Sequence, residues 1–222
     1  MALRGSLEMP RRPSAEKKAP KQIYTIYSPR YFGYKEIGTT WASDPSQVIG
    51  RTIWVSLYTL TGDFSKQYLL IRFKIVRVKD SVAETIFYGH KYGREFVRSL
   101  VRRGSSRIDG IFNLTTKDGF DLRVQATAFT LKRVRSHSIK AKLIRKAMKR
   151  ILEEAASKLN LSQLAQEFVL GKTASDIYQE AKKITMLRHV GVIKSKVLKV
   201  PEWVYTEEGV ERELKEVEKA AA

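Results

Sequence analysis

Cysteine is absent from the sequence, and histidine is scarce. Without a thiol the chain cannot form disulfide bonds, bind zinc through thiolates or use a cysteine nucleophile. The three imidazoles, those of His90, His137 and His189, stand far apart and at no metal-ligand spacing. We therefore expect each histidine to be an ordinary surface or core residue, and we expect no metal site.

Acidic residues are few and scattered, which argues against other common kinds of active site. No group of carboxylates has the arrangement required by a two-metal nuclease or by a pair of acid–base catalysts. The segment Gly171-Lys172-Thr173 resembles the end of a phosphate-binding loop, but Gln166 stands where that loop needs its first glycine. A turn between two helices is the simpler interpretation. The sequence predicts neither an enzyme nor a bound cofactor.

Long hydrophobic runs are also missing. No apolar stretch approaches the length of a transmembrane helix, and the first residues lack the hydrophobic segment of a secretory signal. We therefore expect neither a membrane-spanning helix nor a secretory signal. Hydrophobic residues nevertheless make up 43% of the chain, which is enough to build a core.

Positive charge is abundant, with 42 Lys and Arg against 23 Asp and Glu, for a net charge of +19. Positive charges in this excess repel one another in a compact protein. We therefore expect a polyanionic partner that neutralises them. Nucleic acid is the leading partner, because phosphates release their counterions when a cation binds them. A membrane surface ranks second, and a basic enzyme with acidic substrates ranks third.

The two ends of the chain differ from its middle. Residues 1–21 are basic, rich in Pro and Ala and unable to build a core, so we expect a disordered arm that orders on a polyanion. Residues 206–222 form an acidic tail, which we expect to be helical. Residues 22–205 are expected to fold as a single globular domain. The candidate RNA-binding residues of the arm are Arg11, Arg12, Lys17 and Lys18.

From residue 23 to 130 the hydrophobic period is mainly two, which is typical of strands. Apolar residues alternate through 53–57 and 69–75, and the phase then slips at Val76, which indicates a β-bulge. Asp118-Gly119 between two alternating runs predicts a hairpin, because both residues tolerate positive φ. One helix is predicted at 93–103. The expected fold class is α+β, with an antiparallel, barrel-like core flanked by helices.

After Ser136 the period becomes helical. Further helices are predicted near 161–170 and 173–183, followed by a strand at 188–200 in which Lys194 and Lys196 share one side. The first helix carries an apolar stripe that is expected to face the core. The residues of this stripe are Leu143, Ile144, Ala147, Met148, Ile151, Leu152 and Ala155.

A block of like charge runs from residue 130 to 151, where the sequence has no acid. We expect Lys142, Arg145, Lys146, Lys149 and Arg150 to have only like-charged neighbours. Cations four residues apart on a helix repel each other by a few tenths of a kcal/mol, so a polyanion is expected to offset this cost. The alternative is a charged helix face that is merely solvated. A membrane-lying helix would carry bulky aromatic residues on its apolar face, which this helix lacks, so we expect no membrane partner. The candidate RNA-binding residues here are Lys132, Arg133, Arg135, Lys140, Lys142, Arg145, Lys146, Lys149 and Arg150, joined by Lys194 and Lys196.

Several short motifs, taken in order, resemble the small-subunit ribosomal protein S-three-a family of archaea and eukaryotes, also called the eukaryotic-type S-one family. The resemblance covers about residues 23–203, and the short C-terminal tail is similar to that of archaeal members. The motifs that carry it include Gly50-Arg51, Val55-Ser56-Leu57, Phe87-Tyr88-Gly89, Thr115-Thr116-Lys117-Asp118-Gly119, Phe129-Thr130-Leu131-Lys132-Arg133, Ile144-Arg145-Lys146-Ala147-Met148 and Gly171-Lys172.

This resemblance implies a structural, non-catalytic protein of the small ribosomal subunit in the cytoplasm, with no cofactor. The implied fold is a β-barrel core flanked by helices. The implied position is the platform, near the messenger RNA exit. There the partners would be ribosomal RNA and neighbouring ribosomal proteins, and messenger RNA near the exit is a further candidate whose direct contact the resemblance leaves open. A free-standing RNA-processing or RNA-modifying protein is the alternative, and it would need a pocket or a cluster of catalytic residues that the sequence does not reveal.

Overall fold

Alternating apolar and polar residues between 22 and 130 give seven of the eight strands in the computed structural model, which describes residues 20–205. The predicted acidic tail and nearly all of the basic arm, including Arg11, Arg12, Lys17 and Lys18, lie outside the described residues. The strands are β1 (Gln22–Tyr27), β2 (Glu36–Ala42), β3 (Thr52–Ser56), β4 (Leu69–Lys79), β5 (Val82–Tyr92), β6 (Arg107–Thr115), β7 (Asp121–Thr130) and β8 (Leu187–Lys199).

These strands form one mixed, mainly antiparallel sheet. Its order is β2-β1-β5-β8-β7-β6, with β4 on the other side of β5 and β3 next to β4. β1 is the exception to the antiparallel pattern, because it runs parallel to the start of β5. Within residues 20–205 no pairing joins the two ends of the sheet, so it stays open, and the predicted barrel-like closure is not confirmed.

Two predicted irregularities of the strands are confirmed. The pairing of β4 with β5 changes register between Ile75 and Arg77, where the sequence pattern slips. β6 and β7 form a hairpin from Thr115 paired with Asp121, and Gly119 in its turn has a φ of +80°. That conformation costs glycine little, because it has no Cβ to collide with the carbonyl groups.

Five α-helices accompany the sheet in the described part of the chain. They are α1 (Leu57–Thr61), α2 (Arg94–Leu100), α3 (Ile139–Lys158), α4 (Leu161–Leu170) and α5 (Lys172–Lys182), and four 3₁₀ turns lie at Arg30–Phe32, Pro45–Gln47, Phe64–Lys66 and Glu202–Tyr205. No helix of residues 20–205 is long and apolar enough to cross a membrane.

The last three helices cover one face of the sheet. α3 packs on β6, α4 on β5 and α5 on β8, and their apolar side chains share a core with those of the sheet. Local signals set the ends of these helices. The Ser138 side chain accepts a hydrogen bond from the Ala141 N–H at the start of α3, and Gly171, with a φ of +85°, ends α4.

The buried stripe of α3 differs from the predicted one. Ile144, Met148 and Leu152 are buried as expected, but Leu143 is 46% exposed, and Ala147, Ile151 and Ala155 are only half-buried. The buried positions recur every three or four residues, which selects a narrow stripe. Leu143, Ala147 and Ile151 lie about 100° to one side of it, so the prediction that Leu143 faces the core is wrong. The complete buried set is Ala141, Ile144, Met148, Leu152 and Ala156.

Candidate nucleic-acid interface

The basic block occupies a loop and the outer side of α3. β7 ends at Thr130, so Lys132, Arg133 and Arg135 lie in the connection to α3. Arg145 ties this loop to the helix: its Nη1 donates to the Ser136 carbonyl at 3.2 Å. The loop cations and the helix cations therefore belong to one surface. All nine predicted cations of the block are exposed except Arg145, which is half-buried.

Arg145 acts mainly within the protein. Besides its bond to Ser136, its Nε donates to the Asp109 carbonyl of β6 at 2.9 Å. These two bonds hold α3, the preceding loop and the sheet together. Sequence reasoning assigned Arg145 to a polyanion, but the structure also gives its guanidinium a structural role.

Lys149 and Arg150 have acidic neighbours. The Lys149 Nζ lies 3.6 Å from a carboxylate oxygen of Glu153, and the Arg150 Nε lies 3.8 Å from one of Glu154. Arg150 also reaches Glu180 of α5 at 3.0 Å. The expectation that these two cations have only like-charged neighbours is therefore wrong. Glu153 and Glu154 lie one turn further along α3, just beyond the basic block.

Within residues 20–205, six cations of the block have no acidic partner. None of the ion pairs formed by the described residues involves them. We call this set the α3 patch. It consists of Lys132, Arg133, Arg135, Lys140, Lys142 and Lys146.

Lys194 and Lys196 lie on a different surface. Adjacent residues of a strand point to opposite faces, and Ser195 between them is buried. Ser195 contacts His90, whose ring lies 5.6 Å from that of Phe168 in α4. Ser195 therefore faces the helices, and the two lysines face away from them. The structure does not bring them together with the α3 patch.

The sheet face opposite α4, which no helix of residues 20–205 covers, carries further residues that sequence reasoning missed. We call it the outer sheet face, and it is defined by Trp54, Arg72, Lys91, Arg123, Lys194 and Lys196. Direct pairing places these residues in two neighbouring rows across β3, β4, β5, β8 and β7. The available signal was Trp54, a large aromatic residue at the polar position of an alternating strand.

The other candidate sites have structural roles. Gly171-Lys172-Thr173 forms the junction of α4 and α5, and Lys172 pairs with Glu167 at 2.7 Å, so no phosphate-binding loop is present there. Burial lowers the pKa of His90 to about 4 and also lowers the pKa of His189. No group of three or more His, Asp and Glu within residues 20–205 could hold a metal ion.

Comparison with known proteins decides the family. Residues 11–201 match the sequence model of the Ribosomal S3Ae family. The chain belongs to the Ribosomal S3Ae family. The resemblance read from the motifs is thereby confirmed. Since this is a family of ribosomal proteins, the prediction that the chain is not an enzyme is confirmed as well.

The curated S3Ae relatives include archaeal proteins named small ribosomal subunit protein eS1. The protein of Methanothermobacter thermautotrophicus is 43% identical over 181 residues, which cover 82% of this chain and 92% of that protein. The protein of Methanothrix thermoacetophila is 41% identical over 187 residues, or 84% of this chain and 88% of the relative. That of Sulfurisphaera tokodaii is 43% identical over 181 residues, with coverages of 82% and 93%.

Proposed function

We propose that this protein is a structural constituent of the small ribosomal subunit in the cytoplasm and binds ribosomal RNA through the α3 patch. Membership of the S3Ae family and the names of its archaeal relatives support the ribosomal role. The observation that carries the RNA assignment is the set of six exposed cations without acidic partners around the start of α3. Ribosomal RNA supplies a dense array of phosphates that can neutralise them.

The α3 patch is suited to phosphates rather than to base edges. Its lysines and arginines are exposed on a convex helix and loop, where they can reach backbone oxygens. Contacts of this kind position a protein on RNA without reading its sequence. We therefore expect the patch to bind structured RNA of many sequences with similar affinity.

We further propose that the surface beside the patch contacts neighbouring ribosomal proteins. Ile139 and Leu143 are large apolar residues left exposed one turn apart on α3. Leu143 and Ile184 line a groove between α3 and the end of α5, together with Lys146 and Glu180. An exposed apolar strip with a charged rim is typical of a protein–protein contact.

The proposal also includes the basic arm, residues 1–21, and the place of the protein in the small subunit. Residues 1–21 would add the cations Arg11, Arg12, Lys17 and Lys18 to the RNA contacts, ordering as they bind. The resemblance to the family further implies a place on the platform, near the messenger RNA exit. A deletion of residues 1–21 should weaken rRNA binding and flatten its salt dependence, while the domain 22–205 still folds.

The first test is sedimentation of a tagged copy through a sucrose gradient. A ribosomal protein should travel with the small subunit, and magnesium depletion that dissociates the subunits should not release it. A free-standing RNA-processing protein, the alternative function, would remain near the top of the gradient. That result would overturn the proposal.

The second test addresses the α3 patch. Lys140, Lys142 and Lys146 changed together to Gln should weaken binding to an rRNA fragment and flatten the slope of log affinity against log salt by roughly 0.7–0.9 for each phosphate that is no longer neutralised. Gln is a good helix former, so α3 should remain intact. The matched control replaces Lys117, Lys158 and Lys182, three exposed lysines outside the patch. If the two variants lost affinity equally, the loss would reflect the overall positive charge of the protein, and the α3 patch would not be a specific RNA-binding surface.

A further inference from the structure

The outer sheet face combines aromatic rings with cations and lies on the side of the sheet opposite α4. One row runs Trp54, Arg72, Gly89, Lys196 and Arg123, each residue directly paired with the next across β3, β4, β5, β8 and β7. Strands lie about 4.8 Å apart, so the row extends over about 19 Å. The neighbouring row includes Lys91 paired with Lys194.

In the part of the chain that the structure describes, the cations of these two rows have no acidic partners. No ion pair of the described residues includes Arg72, Lys91, Arg123, Lys194 or Lys196. Neither row contains an acid. The nearest polar contacts are neutral: Arg123 donates to Asn113 at 3.0 Å, and Arg72 donates to the Thr52 hydroxyl at 2.9 Å. This face is therefore complementary to a polyanion.

The aromatic rings are held in place by the same cations. Lys91 lies 4.1 Å from the ring centre of Trp54, and Arg72 lies 5.6 Å from it. Arg72 and Lys74 also lie over Tyr88, which is half-buried at the bulge of β5. Trp54 remains 42% exposed despite these contacts. The indole is thus oriented in advance and accessible.

A second aromatic group borders the face at the end of the domain. Tyr205 is 44% exposed, and its hydroxyl accepts a hydrogen bond from the Lys74 ammonium at 2.8 Å. Arg77 anchors the same turn by donating to the Val204 carbonyl at 3.2 Å. The arrangement of ring and cation seen at Trp54 therefore recurs at Tyr205.

Gly89, in the middle of the first row, occupies a position where no side chain fits. Its φ is +149°, and a Cβ at this position would lie 2.4 Å from the Ser195 carbonyl oxygen. No larger residue fits without moving β8. The row therefore has no side chain between Arg72 and Lys196.

We propose that the outer sheet face binds an unpaired RNA strand, with a base stacked on Trp54 and phosphates on Lys91, Lys194, Lys196 and Arg123. Bases of a duplex stack on each other and are not free to stack on an indole, whereas an unpaired base is. Stacking on aromatic side chains beside a basic track is how single strands are bound without reading their sequence. An acidic protein segment would match the charges but would not require the indole.

This inference rests on the proposed RNA-binding function but concerns a surface separate from the α3 patch. The sheet separates Lys194 and Lys196 from the helices that cover its other face. The protein would therefore hold two RNA segments at once, a structured one on the α3 patch and an unpaired one on the sheet. The two surfaces can be disabled independently.

The test uses the full chain and a fluorescently labelled 12-nucleotide adenine-rich RNA, with an RNA duplex of equal length for comparison. Trp54→Leu should weaken binding of the single strand about 5- to 100-fold, as expected for loss of one stacked base, and leave duplex binding unchanged. Trp54→Phe keeps a ring and should restore most of the affinity. Trp41→Leu is the matched control, since Trp41 is an exposed tryptophan on β2, away from the face.

Charge variants separate this inference from the proposed function. Lys194 and Lys196 changed together to Gln should flatten the salt dependence of single-strand binding, and the Gln variant of Lys140, Lys142 and Lys146 should affect mainly the duplex. If Trp54→Leu binds the single strand as well as the unchanged protein does, the inference fails, even if the α3 patch binds RNA. Polyglutamate provides a second check. If it displaces the single strand equally from the unchanged protein and from Trp54→Leu, the face is a general anion surface, and the inference also fails.

Discussion

The Ser195 hydroxyl lies 2.7 Å from Nδ1 of His90, deep between the sheet and α4. The Nε2 of the same ring lies 2.8 Å from the Val192 carbonyl, which can only accept, so Nε2 carries the proton. Nδ1 therefore accepts the hydrogen bond from Ser195. In the neutral imidazole these two hydrogen bonds satisfy both ring nitrogens. Together with complete burial, this makes His90 a structural residue of the core.

The pH dependence of stability should reflect this neutral imidazole. Burial lowers the pKa of His90 to about 4, whereas in the unfolded chain it is near 6.5. The unfolded state therefore takes up the proton first, so the stabilisation is complete above pH 6.5 and is lost as the pH falls towards 4. Between pH 7 and 5 the free energy of unfolding should fall by about 2 kcal/mol from this residue. Urea denaturation at each pH measures it.

A His90→Gln variant provides the comparison. It should be less stable at pH 7, because the buried network is disturbed, but its stability should decline less between pH 7 and 5. A smaller slope should remain, because burial also lowers the pKa of His189. Parallel curves for the two proteins would contradict the role assigned to His90.

Arg145 and Lys146 are neighbours on α3, but their substitutions should affect different properties. The first should lower stability, and the second should weaken RNA binding. Arg145→Gln removes the donors to Asp109 and Ser136 and should lower the free energy of unfolding by about 1–2 kcal/mol. Lys146→Gln should change stability by less than about 0.5 kcal/mol and instead flatten the salt dependence of rRNA binding. Thermal unfolding and a salt titration of binding measure the two effects. A stability loss in Lys146→Gln equal to that in Arg145→Gln would refute the distinction.

The narrow buried stripe of α3 can be tested with two isoleucines. Ile144 is fully buried and Ile151 half-buried. Ile144→Ala should therefore destabilise the protein by about 2–5 kcal/mol, and Ile151→Ala by clearly less. Chemical denaturation of both variants under one set of conditions compares them directly. The reverse order would show that α3 is rotated relative to the sheet.

Gly89 should be intolerant of any side chain. Gly89→Ala places a methyl group against the Ser195 carbonyl in a backbone conformation that alanine rarely adopts. We expect a loss of about 2 kcal/mol or more in the free energy of unfolding. Gly38→Ala is the control, because a Cβ there meets nothing within 4 Å. If the two variants were equally stable, β5 and β8 would not approach as closely as described.

Residues close together in the chain were sufficient to predict several secondary-structure elements and part of the candidate RNA-binding site. The Asp118-Gly119 turn, the slip at Val76 and the helices after Ser136 depend on residues close in the chain, and each is found where it was predicted. The unpaired cations of the α3 patch were visible for the same reason. The partners of Lys149 and Arg150 were also within reach, because Glu153 and Glu154 stand four residues further on.

By itself, then, the sequence determined most of the strands, the longer helices, the excess of positive charge and the family, since these follow from short-range patterns and composition. The short helix α1 was not among the predicted elements. Only the tertiary structure decided which cations share a surface. Trp54 and Lys196 are far apart in the chain, and they join one row only because β3, β4, β5 and β8 pair in a particular register. A shift of one residue in any of these pairings would move a side chain to the opposite face, so no local pattern could show that these residues share the outer sheet face.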